Sequence, residues 1–220
     1  MRWLHGIWED QMISISPIWY ACLEEAWAGY CAGSQAIGAV WVDSTGAIRY
    51  RGRGRIGEPQ ASAPFLAGTR LAHAEVNVLA QIPAAEFEQM AAGRLYTTLE
   101  PCPLCVGAIT MSGVRQVTFA AYDHWAGATA WLQQFPYMAQ KQIEVAGPVA
   151  GVEIISLVLL TDRTLQANSV RTPDLIRSFQ QDSPIATNIG REFFHSGFLQ
   201  QARDNRWPVE AVIEAIGARL

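Results

Sequence analysis

The sequence has very little lysine and no excess of positive charge. Lys141 is the only lysine among 16 basic residues, and the 220-residue chain carries a formal net charge of −4. Proteins that bind polynucleotides by general electrostatic attraction have a basic surface. The composition therefore argues against nucleic acid as a partner, although a local group of arginines could still bind one.

Long apolar runs are also missing. No segment approaches the roughly 20 apolar residues that a membrane-spanning helix needs, and the most apolar piece, 154–160, is short enough to predict a buried strand. Glu9 and Asp10 lie where a signal peptide would have its apolar stretch. We therefore expect a cytoplasmic protein with no membrane contact.

The order of predicted elements is that of an α/β domain. Residues 18–32 have helical spacing, and two strands, 36–43 and 47–56, form a hairpin around a turn. The pattern then alternates through a helix from 73, a strand at 94–100, a helix at 103–113, a strand at 115–122 and a last strand at 151–160. About thirty residues separate the last two strands, which favours a crossover and parallel pairing.

We therefore predict a three-layer α/β/α domain over residues 1–162, with a five-stranded mixed sheet whose last two strands are parallel. Residues 163–220 show helical pieces and no convincing strand, which predicts a helical C-terminal extension.

Four arginines alternate along the second predicted strand. Arg49, Arg51, Arg53 and Arg55 share one face, while apolar residues occupy the other. This pattern is typical of an edge strand protected by charge. We favour that interpretation over a phosphate-binding site.

Two cysteines mark a metal or redox site. Cys102 and Cys105 form a C-x-x-C where a strand gives way to a helix, and Pro103 suits the first turn of that helix. The positive end of a helix favours thiolates. Two thiolates alone make an incomplete zinc site, because a catalytic zinc takes three protein ligands and leaves a fourth position open.

A histidine and a glutamate open another helix of the same pattern. In an open α/β sheet, helix starts that follow strand ends gather at one rim, so His73 can supply the third ligand. Glu75, two positions later, can flank a water at the metal without binding the metal itself. Two thiolates and a neutral imidazole leave a neutral zinc centre, whose water benefits from a nearby base such as Glu75.

These residues carry a family resemblance. "HAE" at 73–75 followed by "PCPLC" at 101–105 resembles the H-x-E and P-C-x-x-C signature of zinc-dependent deaminases of the cytidine deaminase superfamily. "TLEPCPLCVGAI" is especially similar to the branch with tRNA adenosine deaminases and bacterial guanine deaminases. The resemblance covers residues 18–162. It implies zinc bound by His73, Cys102 and Cys105, proton transfer by Glu75, and a homodimer.

The resemblance implies hydrolytic deamination of a ring carbon. We expect the substrate to be a small molecule, a free nucleobase or related amino-heterocycle such as guanine, cytosine or a triazine-like ring. The alternatives are a tRNA adenosine-to-inosine deaminase, a nucleoside or nucleotide cytidine deaminase, and a zinc-stabilised scaffold without activity.

Substrate contacts are less defined. The family has a substrate-contacting asparagine near the end of its second strand, where this chain has Gly54 or Ile56. Asn77, one turn from His73, is a candidate replacement or a structural residue. Asp123 and Trp125 follow the fourth strand. The Asp123 carboxylate could accept a hydrogen bond from a base N–H, and the Trp125 ring could stack on the substrate ring.

The extension is a candidate lid or dimer contact. Its aromatic segment includes Phe193, Phe194 and Phe198, and we expect these apolar side chains to be buried against another surface. A lid over the pocket would restrict the site to small molecules. The alternative is that the extension only packs against the outside of the domain.

Overall fold

The structure is a computed structural model that describes residues 15–220. The first 14 residues of the predicted domain 1–162 lie outside the described part. The strands are β1 (Gly38–Val42), β2 (Ile48–Arg53), β3 (Arg94–Leu99), β4 (Gln116–Ala121) and β5 (Glu144–Ala146). The helices are α1 (Pro17–Cys31), α2 (Ala74–Leu79), α3 (Pro103–Ser112), α4 (Trp131–Gln134), α5 (Pro136–Ala139), α6 (Val152–Ala167), α7 (Thr172–Asp182), α8 (Pro184–Ser196), α9 (Phe198–Asp204) and α10 (Val209–Gly217), with a 3-10 segment at Ala84–Ala92.

One mixed sheet of five strands organises the chain, in the order β2-β1-β3-β4-β5. β1 is antiparallel to both β2 and β3, whereas β3, β4 and β5 are mutually parallel. The predicted sheet and its parallel last pair are confirmed. Because β2 and β3 run in the same direction, the helices that follow them both begin at the same edge of the sheet.

The predicted last strand, 151–160, is wrong, because this segment lies in helix α6. Residues 157–160 are all buried in succession, since the helix is covered by the sheet on one side and by other helices on the other. A run that is apolar all round does not distinguish a buried helix from a buried strand. The actual β5 is three exposed residues, with no apolar alternation to reveal it.

Helices cover both faces of the sheet, as predicted. On one face, α1 and α6 bury residues such as Leu23 and Ile155 in one apolar cluster. On the other, α2 and α3 bury Val78 and Ile109 against Trp41 of β1. None of the helices in residues 15–220 combines the length and apolarity that a membrane crossing needs.

The C-terminal helices pack on the outer side of α6. Phe179, Phe193, Leu199 and Val212 join the same apolar cluster as α1 and α6, and Phe193 stacks on Phe198 with ring centroids 4.4 Å apart. The predicted boundary at 162 falls inside α6. The division into 1–162 and 163–220 stays a prediction, with one helix continuous across it.

The arginines of β2, and Arg55 just beyond its end, pair with carboxylates. Arg51 lies 2.8 Å from Glu24, and Arg53 and Arg55 both contact Glu58. Arg49 lies 3.7 Å from Asp43. Because β2 is the edge strand and its guanidinium groups already have anionic partners, the structure agrees with a charged protective edge.

The contact between α6 and α8 depends on a glycine. A Cβ added at Gly190 would lie 2.5 Å from Cβ of Thr161, so the two helices would have to move apart. We expect Gly190→Ala to lower the free energy of unfolding by about 1–3 kcal/mol, measured by urea denaturation. Gly217→Ala is the control, since nothing lies within 4 Å of its added Cβ. Equal stability of the two variants would contradict this packing.

Candidate metal centre and active site

The site lies where α2 and α3 begin, at one edge of the sheet. His73 is the N-cap residue of α2, and Cys102 is the N-cap residue of α3. Neither side chain caps its own helix, so both are available to a ligand. Cys105 lies one turn into α3 and is buried.

The three predicted ligands come together. Nδ1 of His73 lies 3.5 Å from Sγ of Cys102 and 3.4 Å from Sγ of Cys105, and the two sulfur atoms are 3.6 Å apart. A tetrahedral zinc with bonds of about 2.3 Å to sulfur and about 2.05 Å to nitrogen requires about 3.6 Å between nitrogen and sulfur and about 3.8 Å between the two sulfur atoms. The donor set and its spacing therefore fit zinc, with one position of the tetrahedron left over.

The surroundings shift the pKa values of the two thiols in opposite directions. Interaction with the Cys105 sulfur, together with His73, lowers the pKa of Cys102 to about 4 against the effect of burial. The Cys102 sulfur and burial raise the pKa of Cys105. A bound zinc would hold both residues as thiolates, because a coordinating cysteine is deprotonated.

Glu75 lies directly beside the cluster. Its side chain is buried, with Oε1 accepting from Oγ1 of Thr97 at 3.0 Å and Oε2 accepting from the Cys105 thiol at 3.2 Å. Burial raises its pKa. With Cys105 as a thiolate ligand of zinc, Oε2 would be free to accept from a water. Thr97, which orients the carboxylate, was not predicted; its position on β3 facing α2 carries no motif.

Asn77 is held by backbone groups rather than turned toward the cluster. Its Oδ1 accepts from the Leu66 N–H at 2.8 Å, and its Nδ2 donates to the carbonyls of Arg53 and Leu66. The fully buried side chain thus ties the loop before α2 to the end of β2. These contacts favour the structural alternative, and substrate contact by Asn77 stays a prediction.

Removing this amide should destabilise the loop. Asn77→Ala leaves three buried hydrogen bonds unmade, so we expect the free energy of unfolding to fall by about 2–4 kcal/mol, measured by chemical denaturation. Asn205→Ala, at an exposed position, is the control and should stay within about 0.5 kcal/mol of wild type. Unchanged stability with a raised KM would instead assign Asn77 to the substrate.

Asp123 and Trp125 lie in the loop after β4, at the same sheet edge. Oδ1 of Asp123 accepts from the N–H groups of Trp125 and Ala126 and from Oγ of Ser178, and burial raises the pKa of this carboxyl. The Trp125 ring is 45% exposed. Asp123 therefore shapes the turn that presents Trp125, and both remain predicted substrate contacts.

Two carboxylates that the sequence did not reveal hold this loop. Glu100 accepts from the Asp123 N–H and, with its other oxygen, from the Thr129 N–H and hydroxyl. Asp182, at the end of α7, accepts from the Tyr122 N–H at 3.0 Å. Glu100 directly precedes the P-C-x-x-C segment, which is a usable signal. Asp182 is 53 residues or more from these positions in the chain, and no sequence signal marks it.

Comparison with known proteins agrees with this geometry. Residues 15–121 match the family model of the cytidine and deoxycytidylate deaminase zinc-binding region. A tRNA-specific adenosine deaminase of Haemophilus influenzae is 31% identical over 134 residues, which cover 60% of this chain and 73% of that protein. The tRNA-specific adenosine deaminase of Bacillus subtilis is 40% identical over 63 residues, which cover 28% of this chain and only 39% of that protein.

The fold has a solved counterpart. The structure of guanine deaminase from Nitrosomonas europaea aligns with a TM-score of 0.50 and 22% identity, covering 70% of this chain and 88% of that one. Given the zinc-binding family model, the relative from Haemophilus influenzae and the His73, Cys102 and Cys105 cluster, the chain belongs to the cytidine and deoxycytidylate deaminase family of zinc-dependent deaminases.

Proposed function

We propose that this protein is a zinc-dependent hydrolytic deaminase of a small amino-heterocycle, with His73, Cys102 and Cys105 as metal ligands and Glu75 as the general acid and base. The observation that carries the proposal is the buried Glu75 carboxylate, whose Oε2 lies 3.2 Å from Sγ of Cys105. A carboxylate beside three metal ligands is the arrangement that hydrolysis at an amino-bearing carbon needs.

The bound zinc would lower the pKa of a water, which supplies the nucleophile for the ring carbon. Glu75 would take one proton from that water at Oε2 and pass it to a ring nitrogen. It would then take the second proton from the hydroxyl group now on the ring carbon and pass it to the amino group, which leaves as ammonia. Burial raises the pKa of Glu75, which favours a group that must hold a proton as well as release it. The Thr97 hydroxyl would keep the carboxylate in place through Oε1.

The surroundings of the site favour small substrates. A cavity of about 620 Å³ is lined by His73 and, on another side, by residues of α6, α7 and the turn between them, such as Arg163, Ser169 and Leu175. Sites for small molecules typically measure about 300–1,000 Å³. The first part of the extension, rather than its aromatic segment, would thus form the wall of the pocket.

Deamination of adenosine in tRNA is the second candidate. It is favoured by sequence similarity to the tRNA-specific adenosine deaminases of Haemophilus influenzae and Bacillus subtilis. The scarcity of lysine and the pairing of the β2 arginines with carboxylates argue against a broad phosphate-binding surface. We further propose that the protein acts as a cytoplasmic homodimer, as the family resemblance implies.

A substrate panel tests the proposal. We expect ammonia release from at least one free base, nucleoside or nucleotide, with kcat/KM in the usual enzymatic range of about 10⁴–10⁸ M⁻¹s⁻¹. A tRNA anticodon stem-loop should be a poor substrate. Turnover of the stem-loop alone would support the second candidate, and a folded, zinc-loaded protein that releases ammonia from none of these compounds would support the inactive scaffold.

A further inference from the structure

The cavity beside His73 contains an unusual concentration of positive charge. Arg70, Arg163 and Arg171 all line it, and its lining includes no aspartate or glutamate. Within residues 15–220, none of these three side chains forms an ion pair with a carboxylate. This contrasts with the arginines of β2 and with the chain's net charge of −4.

The three arginines that line the cavity come from separate parts of the chain. Arg70 lies in the loop before α2, Arg163 on α6 and Arg171 just before α7. Because the segments are distant in sequence and converge only in the fold, the positive charge is a property of this pocket and not of a surface run of basic residues.

One of these arginines is held in place by the backbone. Arg163 donates from Nε to the Ser34 carbonyl at 3.0 Å and from its terminal nitrogen to the Gly33 carbonyl. Fixing this side chain before binding reduces the entropy that a ligand must offset. The Arg171 guanidinium carbon lies 5.9 Å from the centre of the Trp125 ring, next to the loop after β4.

Guanidinium groups match one ligand chemistry particularly well. Their planar set of N–H donors pairs with two oxygens of a phosphate or carboxylate at once. The combined positive charge of three guanidinium groups is much larger than the single negative charge of a carboxylate. A phosphomonoester, with a charge of about −1.5 to −2 at neutral pH, balances more of it. The charge balance therefore favours a phosphate.

We propose that this cavity binds a phosphomonoester carried by the substrate, so that the ring presented to the metal centre belongs to a phosphorylated compound such as a nucleoside monophosphate. This inference rests on the proposed deaminase function and narrows its substrate class. It replaces the free base expected from the sequence with a phosphate-bearing ring, and it assigns Arg70, Arg163 and Arg171 as binding residues.

Matched sets of substrates test the inference by activity. For each ring, the free base, nucleoside, nucleoside monophosphate and a carboxylate-bearing analogue are compared by ammonia release. We expect kcat/KM to be about 100-fold higher for the monophosphate than for the nucleoside, since each charged hydrogen-bonding group contributes about tenfold or more. Equal values, or a preference for the carboxylate analogue or the tRNA stem-loop, would overturn the inference.

Arginine variants test which groups are responsible. Arg171→Gln and Arg70→Gln, both at exposed positions, should each reduce the ratio of kcat/KM for monophosphate over nucleoside by about tenfold or more. Arg177→Gln is the matched control, because this exposed arginine of α7 pairs with Asp174 and lies outside the lining of this cavity. A ratio that falls equally in all three variants, or in none, contradicts the assignment.

Binding of ribose 5-phosphate separates this inference from the proposed function. Calorimetry with the zinc-loaded Glu75→Gln protein should show binding of ribose 5-phosphate, weak or no binding of ribose, and at least tenfold loss in Arg171→Gln. Failure of every ring to release ammonia would refute the deaminase, but this binding would still support the phosphate site. No difference between the two sugars would overturn the phosphate site, whatever the protein deaminates.

Discussion

Glu75→Gln should retain zinc and the fold while kcat falls by about 10²–10⁴-fold, the usual contribution of a general acid or base. The substitution keeps the size of the side chain and an oxygen that can accept from Thr97, whose hydroxyl lies 3.0 Å from Oε1. It removes only the ability to take and return a proton. Zinc content, thermal unfolding and ammonia release are measured on the same preparations.

Glu88→Gln is the matched control, because this glutamate is exposed in the 3-10 segment and away from the cluster. It should behave as wild type in all three measurements. Wild-type turnover by Glu75→Gln would show that another group carries the proton. Loss of zinc or of the fold would show that Glu75 is structural.

Cys102→Ser should lose both zinc and turnover. The hydroxyl of serine is not ionised at neutral pH, whereas the pKa of Cys102 is lowered to about 4 by its neighbours, so the variant lacks the anionic sulfur that zinc prefers. Loss of an outer-shell group costs about 10–100-fold in metal affinity, and loss of this ligand should exceed that. Zinc is measured after dialysis against a chelator.

Cys31→Ser provides the control, since this cysteine is exposed at the end of α1 and should be dispensable for zinc. Full zinc content in Cys102→Ser after dialysis would exclude the proposed ligand set. Loss of zinc from both variants would indicate a general effect on folding.

The metal cluster was predictable because each ligand carries a local signal. His73 and Cys102 both occupy the N-cap position of a helix, and both helices follow strands whose ends meet at one edge of the sheet. Alternation of strand and helix is visible in the sequence, so the meeting of these two distant segments follows from the fold class. The identity of Glu75 as a neighbour of Cys105 follows from the same placement.

Helix α6 was not predictable, because burial removes the pattern that reveals a helix. Sheet, α1 and α8 cover it on several sides, so residues 157–160 are all buried in succession and show no polar stripe. The sequence does not predict β5 for the opposite reason, since its three residues are all exposed and show no apolar alternation. In each case the environment, and not local propensity, determines the element.

The cavity lined by Arg70, Arg163 and Arg171 could not be predicted from sequence patterns either. Its charged residues come from the loop before α2, from α6 and from the turn before α7, and none belongs to a motif. The sequence instead draws attention to the regular arginines of β2, which the structure pairs with carboxylates. Among the described residues, the cavity arginines have no carboxylate partner, whereas those of β2 do, and only the structure reveals this difference.

The decisive measurement is zinc content and ammonia release on one purified sample, across bases, nucleosides and their monophosphates. The proposed function requires about one zinc per chain and ammonia release that disappears when zinc is removed and returns when it is restored. A protein that turns over these rings equally well without zinc, or one that holds zinc and releases ammonia from none of them, would contradict it.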